Sequence, residues 1–364
     1  MTNRAIAHAR LRNSRLVGPP LGSPEEVVAW FGAVQSQDVP GALWGIAQRL
    51  APGSTMAGLG AAMDDGRIVR THGPRPTWHF LHPADLRWIL SLVGPRVEQT
   101  MAGLVRRLGI GPDGMTRGQA AMEDAMAGGV RVTRAELRDA VSSVGIDASE
   151  PLVTGMIGMQ AEVRALVCNG PRRGKQPTFV LVDDWVPAAP ALAPADALRE
   201  LTIRYFQSHG PALAQDMAWW SGLTVGVVRE GIALAGAALE GRRLDGKDYW
   251  AAAGAFDPDP IPAPIVQLLP NYDEYLGSYR DYSPIFDEAL PRARTVADVL
   301  GTNLVVRDGL VVGGWRRALA RDRVTVTVTL LIPLTPAELE ALEVAAAGFG
   351  RFVGLPMELR VIAS

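Results

Sequence analysis

Asn169-Gly170-Pro171-Arg172-Arg173-Gly174-Lys175, leading into Thr178-Phe179-Val180-Leu181-Val182, is the stretch on which the fold turns. Glycine and proline punctuate a turn crowded with three basic side chains, and the β-branched and aromatic run after it reads as a strand. Upstream, Gln119 to Ala127 is predicted helical and stops at Gly128-Gly129. Thr133-Arg134-Ala135-Glu136 is a capping box, in which hydroxyl and carboxylate each satisfy the other residue's backbone N–H, and it opens a helix through Val144. Leu152 to Val167 is predicted as a third helix. Three helices followed by a hairpin with a basic tip is the order of a winged helix.

The same rhythm is legible on either side. Ser23-Pro24-Glu25-Glu26 begins a helix with a capping hydroxyl, a proline in its first turn and Glu26 completing a capping box; Val27, Val28, Trp30, Phe31 and Val34 supply its apolar face. Met56 to Asp65 is predicted helical, and Ile68 to Leu81 extended in two pieces broken at Gly73-Pro74 and Pro76. After a Pro/Ala connector from Val186 to Pro194, helices are expected over Leu198–His209, Ala214–Gly222 and Val225–Leu239. Strands then dominate: Ile265–Leu269, Leu304–Arg307, Leu310–Val312 and Val324–Ile332, with Asp308-Gly309 as a hairpin turn. A helix over Pro336–Ala347 and a short closing strand follow. The expectation is an α+β protein of three tandem winged-helix domains, residues 1–110, 111–190 and 191–364, the last carrying a hairpin and C-terminal strands.

Composition narrows the classes. With 48% apolar and 20% charged residues over 364 positions, the chain can build cores, and its length suggests more than one domain. No apolar run is long enough for a membrane helix, and the Arg-bearing start from Met1 to Leu16 has no apolar block after it. A cytoplasmic, nucleoid-associated protein with no membrane partner is expected. Cys168 is the only cysteine, which excludes an internal disulfide and cysteine-based metal clusters. The net charge is −2, yet of the 36 basic residues only Lys175 and Lys247 are lysines. A GC-rich genome would give this bias, and so would a need for arginine forks on phosphate and guanine edges. Placement decides between them.

Arg172, Arg173 and Lys175 gather at one hairpin tip; Gly313-Gly314-Trp315-Arg316-Arg317 and Arg321-Asp322-Arg323 lie near the Asp308-Gly309 turn. Arginines at such tips suit the DNA backbone or minor groove, so Arg172, Arg173, Lys175, Arg316, Arg317 and Arg321 are candidate DNA contacts. The Asp308-Gly309 hairpin, with Arg316 and Arg317, is the candidate groove probe. Several enzyme classes are disfavoured. Gly170 to Gln176 has the wrong glycine spacing for a phosphate loop and lacks its Ser/Thr, and neither a Gly-x-Ser-x-Gly elbow nor a His-Glu-x-x-His pair occurs. Neither a metal nor an organic cofactor is indicated.

Three stretches remain. In Val34-Gln35-Ser36-Gln37-Asp38 two amides share a face if the backbone is extended, and could project side by side from a helix end. Capping or surface amides would look the same. Arg70-Thr71-His72-Gly73-Pro74-Arg75-Pro76-Thr77-Trp78-His79-Phe80 offers His72, Arg75 and His79 as surroundings of an active site, or an ordinary wing with an aromatic core. Leu268 to Tyr275 sets Asp273 and Glu274 between tyrosines, an arrangement that more often organises a loop than catalyses.

Together with Arg12-Asn13-Ser14-Arg15-Leu16, Trp219-Trp220-Ser221-Gly222-Leu223 and Leu269-Pro270-Asn271-Tyr272-Asp273-Glu274-Tyr275, these segments resemble the AlkZ-like DNA glycosylases, the bacterial family that also contains the YcaQ proteins. The likeness extends over nearly the whole chain. It implies three winged-helix modules, a catalytic Gln-x-Gln motif at Gln35 and Gln37, and repair of genotoxin damage, including interstrand cross-links. Gln37, where the YcaQ branch has Asp, places the chain nearer the AlkZ branch; Ser36 departs from the usual apolar middle position.

The chemistry is independently reasonable. Alkylation at guanine N7 makes the base cationic and weakens its glycosidic bond, so the enzyme needs mainly to place water and stabilise an oxocarbenium-like sugar. A neutral amide carbonyl can do both. Bulky adducts fit an open concave surface better than a pocket that requires base flipping. The expected partner is double-stranded DNA bearing alkylated purines, met by a monomer acting as a monofunctional glycosylase. The alternative is a non-catalytic winged-helix regulator, which would dimerise on paired sites; a drug-sequestering protein is a third reading.

Overall fold

The protein is described by a computed structural model covering residues 3–256, 264–286 and 303–363. After α1 (Asn3–Asn13) and α2 (Pro24–Phe31), the chain lays down the first of three similar units. A short strand β1 (Val34–Gln35) is followed by α3 (Val39–Ala47), α4 (Met56–Asp64) and the hairpin β2 (Val69–His72) and β3 (Trp78–Leu81). β1 returns to pair antiparallel with β3, giving the order β1-β3-β2. The long α5 (Leu86–Arg107) leads to the second unit. It comprises α6 (Pro112–Met126), β4 (Val132–Thr133), α7 (Arg134–Ser143), α8 (Pro151–Val163), β5 (Val167–Arg173) and β6 (Gln176–Leu181), in the order β4-β6-β5. The short α9 (Val182–Trp185) precedes the third: α10 (Pro194–His209), β7 (Ala212–Leu213), α11 (Ala214–Ser221), α12 (Val225–Ala235), β8 (Leu239–Leu244) and β9 (Lys247–Ala252), ordered β7-β9-β8.

A five-stranded sheet completes the molecule: β10 (Val266–Leu269), β11 (Asn303–Arg307), β12 (Leu310–Leu319), β13 (Val324–Leu330) and β14 (Met357–Ala363), in sequence order. The short helix α13 (Glu274–Gly277) follows β10. β13 and β14 run parallel, joined through α14 (Pro336–Val353). The sheet shares one apolar core with the first unit, in which Phe31, Trp44 and Phe80 meet Val305, Trp315 and Phe349. Trp44 Nε1 donates to Leu268 O at 2.6 Å and Trp315 Nε1 to Leu269 O at 2.8 Å, so both indoles bury apolar area without leaving a donor unpaired.

Local sequence explains much of this. The Thr133/Glu136 capping box forms in full. The box expected at Ser23/Glu26 is corrected to a half: Ser23 Oγ accepts from Glu26 N, but the Glu26 carboxylate takes Gly22 N, one residue before the cap, rather than the cap's own amide. Strand β13 alternates buried positions with half-buried or exposed ones, as its Val/Thr pattern requires.

Other expectations are corrected. The helix expected to Val167 ends at Val163, because Ala165 takes a left-handed backbone (φ 56°) and Val167 then pairs with Leu181. The expected loop over 169–175 is therefore mostly strand. Likewise α12 stops at Ala235 before Gly236 (φ 53°), and 239–252 form a hairpin turning at Asp245-Gly246. The expected three-residue strand at Leu310–Val312 runs on to Leu319, through Gly313, where a Cβ would lie 2.4 Å from Thr329 O. Among the described residues no helix is long and apolar enough to cross a membrane.

Candidate active site

The Gln-x-Gln stretch lies at the end of an edge strand, not at a helix end. Gln35 sits opposite His79 in the β1–β3 ladder, and Ser36 N donates to Trp78 O at 2.8 Å. The chain then turns into α3, with Pro40 in its first turn. The two amides do not project as an equivalent pair. Gln35 is 8% exposed, whereas Gln37 faces solvent with its Oε1 3.4 Å from the Trp78 amide that donates to it.

Gln35 is held at both ends. Its backbone N–H donates to Glu274 Oε1 at 2.7 Å, and its side-chain Oε1 accepts from Arg75 Nη2 at 3.4 Å. Arg75 adopts a left-handed backbone (φ 65°), a conformation costing on the order of 1 kcal/mol for a residue with a Cβ. Its guanidinium lies 5.4 Å over Trp219 of α11, so this one side chain joins the first unit to the third. Burial lowers the guanidinium's pKa, while the Glu274 charge works in the opposite sense.

Glu274 is a buried carboxylate with four donors. Besides the Gln35 amide, its Oε2 accepts from Trp220 Nε1 at 3.1 Å, His209 Nε2 at 3.3 Å and Ser278 Oγ. Burial alone would raise its pKa; the hydrogen bonds from His209, Ser278 and Gln35 outweigh that and hold it down at about 2. Its neighbour Asp273 is clamped by Arg49 through two hydrogen bonds, at 2.8 and 3.0 Å.

His79 lies on the same face of the sheet as Gln35. Its Nδ1 is 2.9 Å from Thr77 O, which assigns the proton to Nδ1 and leaves Nε2 as an acceptor. No hydrogen-bonding group of the described residues meets that Nε2. Burial, reinforced by the Arg75 charge, pulls the imidazole down to about 4, so it is neutral near pH 7. His72 is placed apart from this group: its Nδ1 pairs with Glu162 of α8, and its ring packs 4.5 Å from Trp78. Arg70 runs beside it, bonding Asn169 Oδ1 at 2.8 Å and stacking 4.3 Å over Trp78. Glu162 was not picked out from the sequence. Its signal is an acidic residue set in the apolar run Met156 to Val163, where only a paired carboxylate can be buried.

The expected DNA contacts divide. Arg172 is gripped by Asp64, with contacts at 2.6 and 2.9 Å, and Arg173 by Glu136 at 2.8 Å; Lys175 stands exposed in the turn between β5 and β6. Arg316 and Arg321 are exposed, while Arg317 donates to Asp38 Oδ2 at 2.7 Å, immediately beside Gln37. The groove-probe expectation is corrected. Asp308-Gly309 does form a turn, but a Cβ on Gly309 would lie 3.1 Å from both Ala7 and the Tyr275 hydroxyl. That hydroxyl donates to Gly309 O at 2.8 Å. The tip is packed against α1 and α13 and cannot enter a groove. The exposed tip belongs to β12–β13, at Ala320-Arg321-Asp322-Arg323. Among the described residues no cluster of three or more His, Cys, Asp or Glu has the placement of a metal site.

Comparison with known proteins matches residues 28–352 to the family described as DNA glycosylase AlkZ-like. A relative from Streptomyces sahachiroi, named interstrand DNA cross-link repair glycosylase, is 26% identical over 305 residues, which span 78% of this chain and 80% of that protein. The solved structure of Streptomyces sahachiroi DNA glycosylase AlkZ superposes with a TM-score of 0.80 at 22% identity, covering 100% of both chains; this is a likeness of fold.

Proposed function

We propose, from the premise that this chain belongs to the AlkZ-like DNA glycosylase family, that it is a monofunctional glycosylase hydrolysing the N-glycosidic bond of N7-alkylated, cationic purines in duplex DNA. Bulky genotoxin adducts and interstrand cross-links are its natural range, since its relative is named for cross-link repair. The three strand–helix–helix–hairpin units are read as winged-helix modules, with boundaries near residues 110 and 190, that present an open DNA-binding surface in a monomer. Gln37 positions the attacking water through its amide, and Gln35 supports that water or the sugar. Arg316, Arg321 and Lys175 contact phosphates.

One observation carries this reading. The carboxylates nearest the motif are both engaged: Asp38 by Arg317, and Glu274 by four buried donors. With neither free to act as general base, water is only weakly activated, and the reaction depends on a leaving group that is already cationic. That suits N7-alkylguanine and spares unmodified purines.

The test uses a duplex containing N7-methylguanine. The protein should release free 7-methylguanine and leave an alkali-labile site. Gln37→Ala and Gln35→Ala should each slow release by about 100-fold while leaving duplex affinity within about two-fold. Full activity in both variants, or no base release by the wild-type protein, would refute the assignment.

A further inference from the structure

Behind the motif lies the buried carboxylate of Glu274. β1 is an edge strand, so the N–H of Gln35 points away from β3 to where water would ordinarily satisfy it. Glu274 Oε1 takes that position at 2.7 Å, and Oε2 is fixed by His209 and Trp220, from α10 and α11, together with Ser278. Burying a carboxylate is costly unless donors and a counter-charge compensate. A single strand-edge amide would not require a full charge. The charge has a second use: it offsets that of Arg75, which is half-buried and donates from Nη2 to the Gln35 side-chain oxygen at 3.4 Å. Gly277 closes the remaining side, since a Cβ there would lie 3.3 Å from Gln35 Oε1.

We propose that Glu274 is a positioning residue for the glycosylase reaction, fixing Gln35 through its backbone N–H and, by countering Arg75, through its side-chain oxygen, with Gly277 leaving the space that this placement needs. The inference rests on Gln35 belonging to the reaction centre. It assigns Glu274 no contact with substrate. Misplacing a reacting group by even 1 Å costs up to about 100-fold in rate, so the effect falls on the chemical step rather than on DNA binding.

The experiment is single-turnover excision of 7-methylguanine from duplex DNA at saturating enzyme, with Glu274→Gln and Gly277→Ala beside the wild type. At saturation the rate constant does not depend on what fraction of a preparation is folded, so a loss of folded protein leaves it unchanged and a displaced Gln35 lowers it. Glu274→Gln should reduce the rate constant about ten-fold or more, with duplex affinity within about two-fold. Gly277→Ala, which leaves Glu274 and its donors in place, should reduce it several-fold and keeps the inference testable if Glu274→Gln does not fold. Wild-type excision accompanied by an unchanged rate constant in Gly277→Ala, or in folded Glu274→Gln, overturns the inference alone. A wild-type protein that releases no base overturns the proposed function as well.

Discussion

As the pH falls from about 6.5 towards 4, the folded protein should lose stability through His79. The folded imidazole, pulled down to about 4 by burial and by Arg75, resists protonation, whereas the unfolded one accepts a proton near its ordinary 6.5. Acid therefore favours the unfolded chain: the contribution is complete above 6.5 and shrinks as the pH drops to 4. Within that window the slope approaches about 1.4 kcal/mol per pH unit, so by about pH 4.5 the loss is on the order of 2 kcal/mol. Glu274, held at about 2, acts in a separate lower window, where stability present above 4.5 is lost as pH falls through 2. Urea unfolding of wild type and His79→Asn, at several pH values between about 7 and 4.5, isolates the imidazole's share. The wild-type stability should fall by about 2 kcal/mol more than that of the variant. Parallel curves would mean that the site is open to water, and the placement of His79 beside Gln35 would fall with it.

Arg49→Met strands Asp273 as a buried, uncompensated charge and should cost about 3–5 kcal/mol of stability, read as a lowered denaturation midpoint; a loss below about 1 kcal/mol would show that the pair is solvated. Asp38→Asn releases Arg317 beside the motif, so the slope of log affinity against log salt should steepen by about one for undamaged duplex; an unchanged slope would place Arg317 off the DNA path.

What the sequence disclosed follows a physical division. Features written by neighbours in the chain were legible: the Thr133/Glu136 box, the hairpin from Val69 to Leu81 and the alternation of Val324 to Leu330. Features written by distant partners were not. Asp308-Gly309 is a strong turn signal and does turn, yet its burial comes from Ala7 and Tyr275, which no local pattern reveals. Gln35 was legible as a candidate through its spacing from Gln37, but the carboxylate that holds it lies 239 residues away. Asp245-Gly246 carries an equally local turn signal, but the apolar period of α12 continues into Leu239 and masks the end of the helix before it.

The same division gives two identical side chains two residues apart different surroundings. Extended backbone would send both to one face of the sheet, but the strand ends at Gln35 and the chain bends at Gln37. Gln35 still has β3 beside it, Glu274 behind it and Arg75 across it, and has little rotamer freedom left. Gln37 lies past the last ladder pair, anchored by one long contact from the Trp78 amide, and so can turn its carboxamide towards a duplex. In the proposed reaction the held amide of Gln35 would define where the sugar sits, and the exposed amide of Gln37 would place the water. Under the proposed function, selectivity follows from what is withheld: Asp38 is bound to a cation and Glu274 to buried donors, so bond cleavage would wait for a base whose positive charge supplies the driving force a general base would otherwise provide.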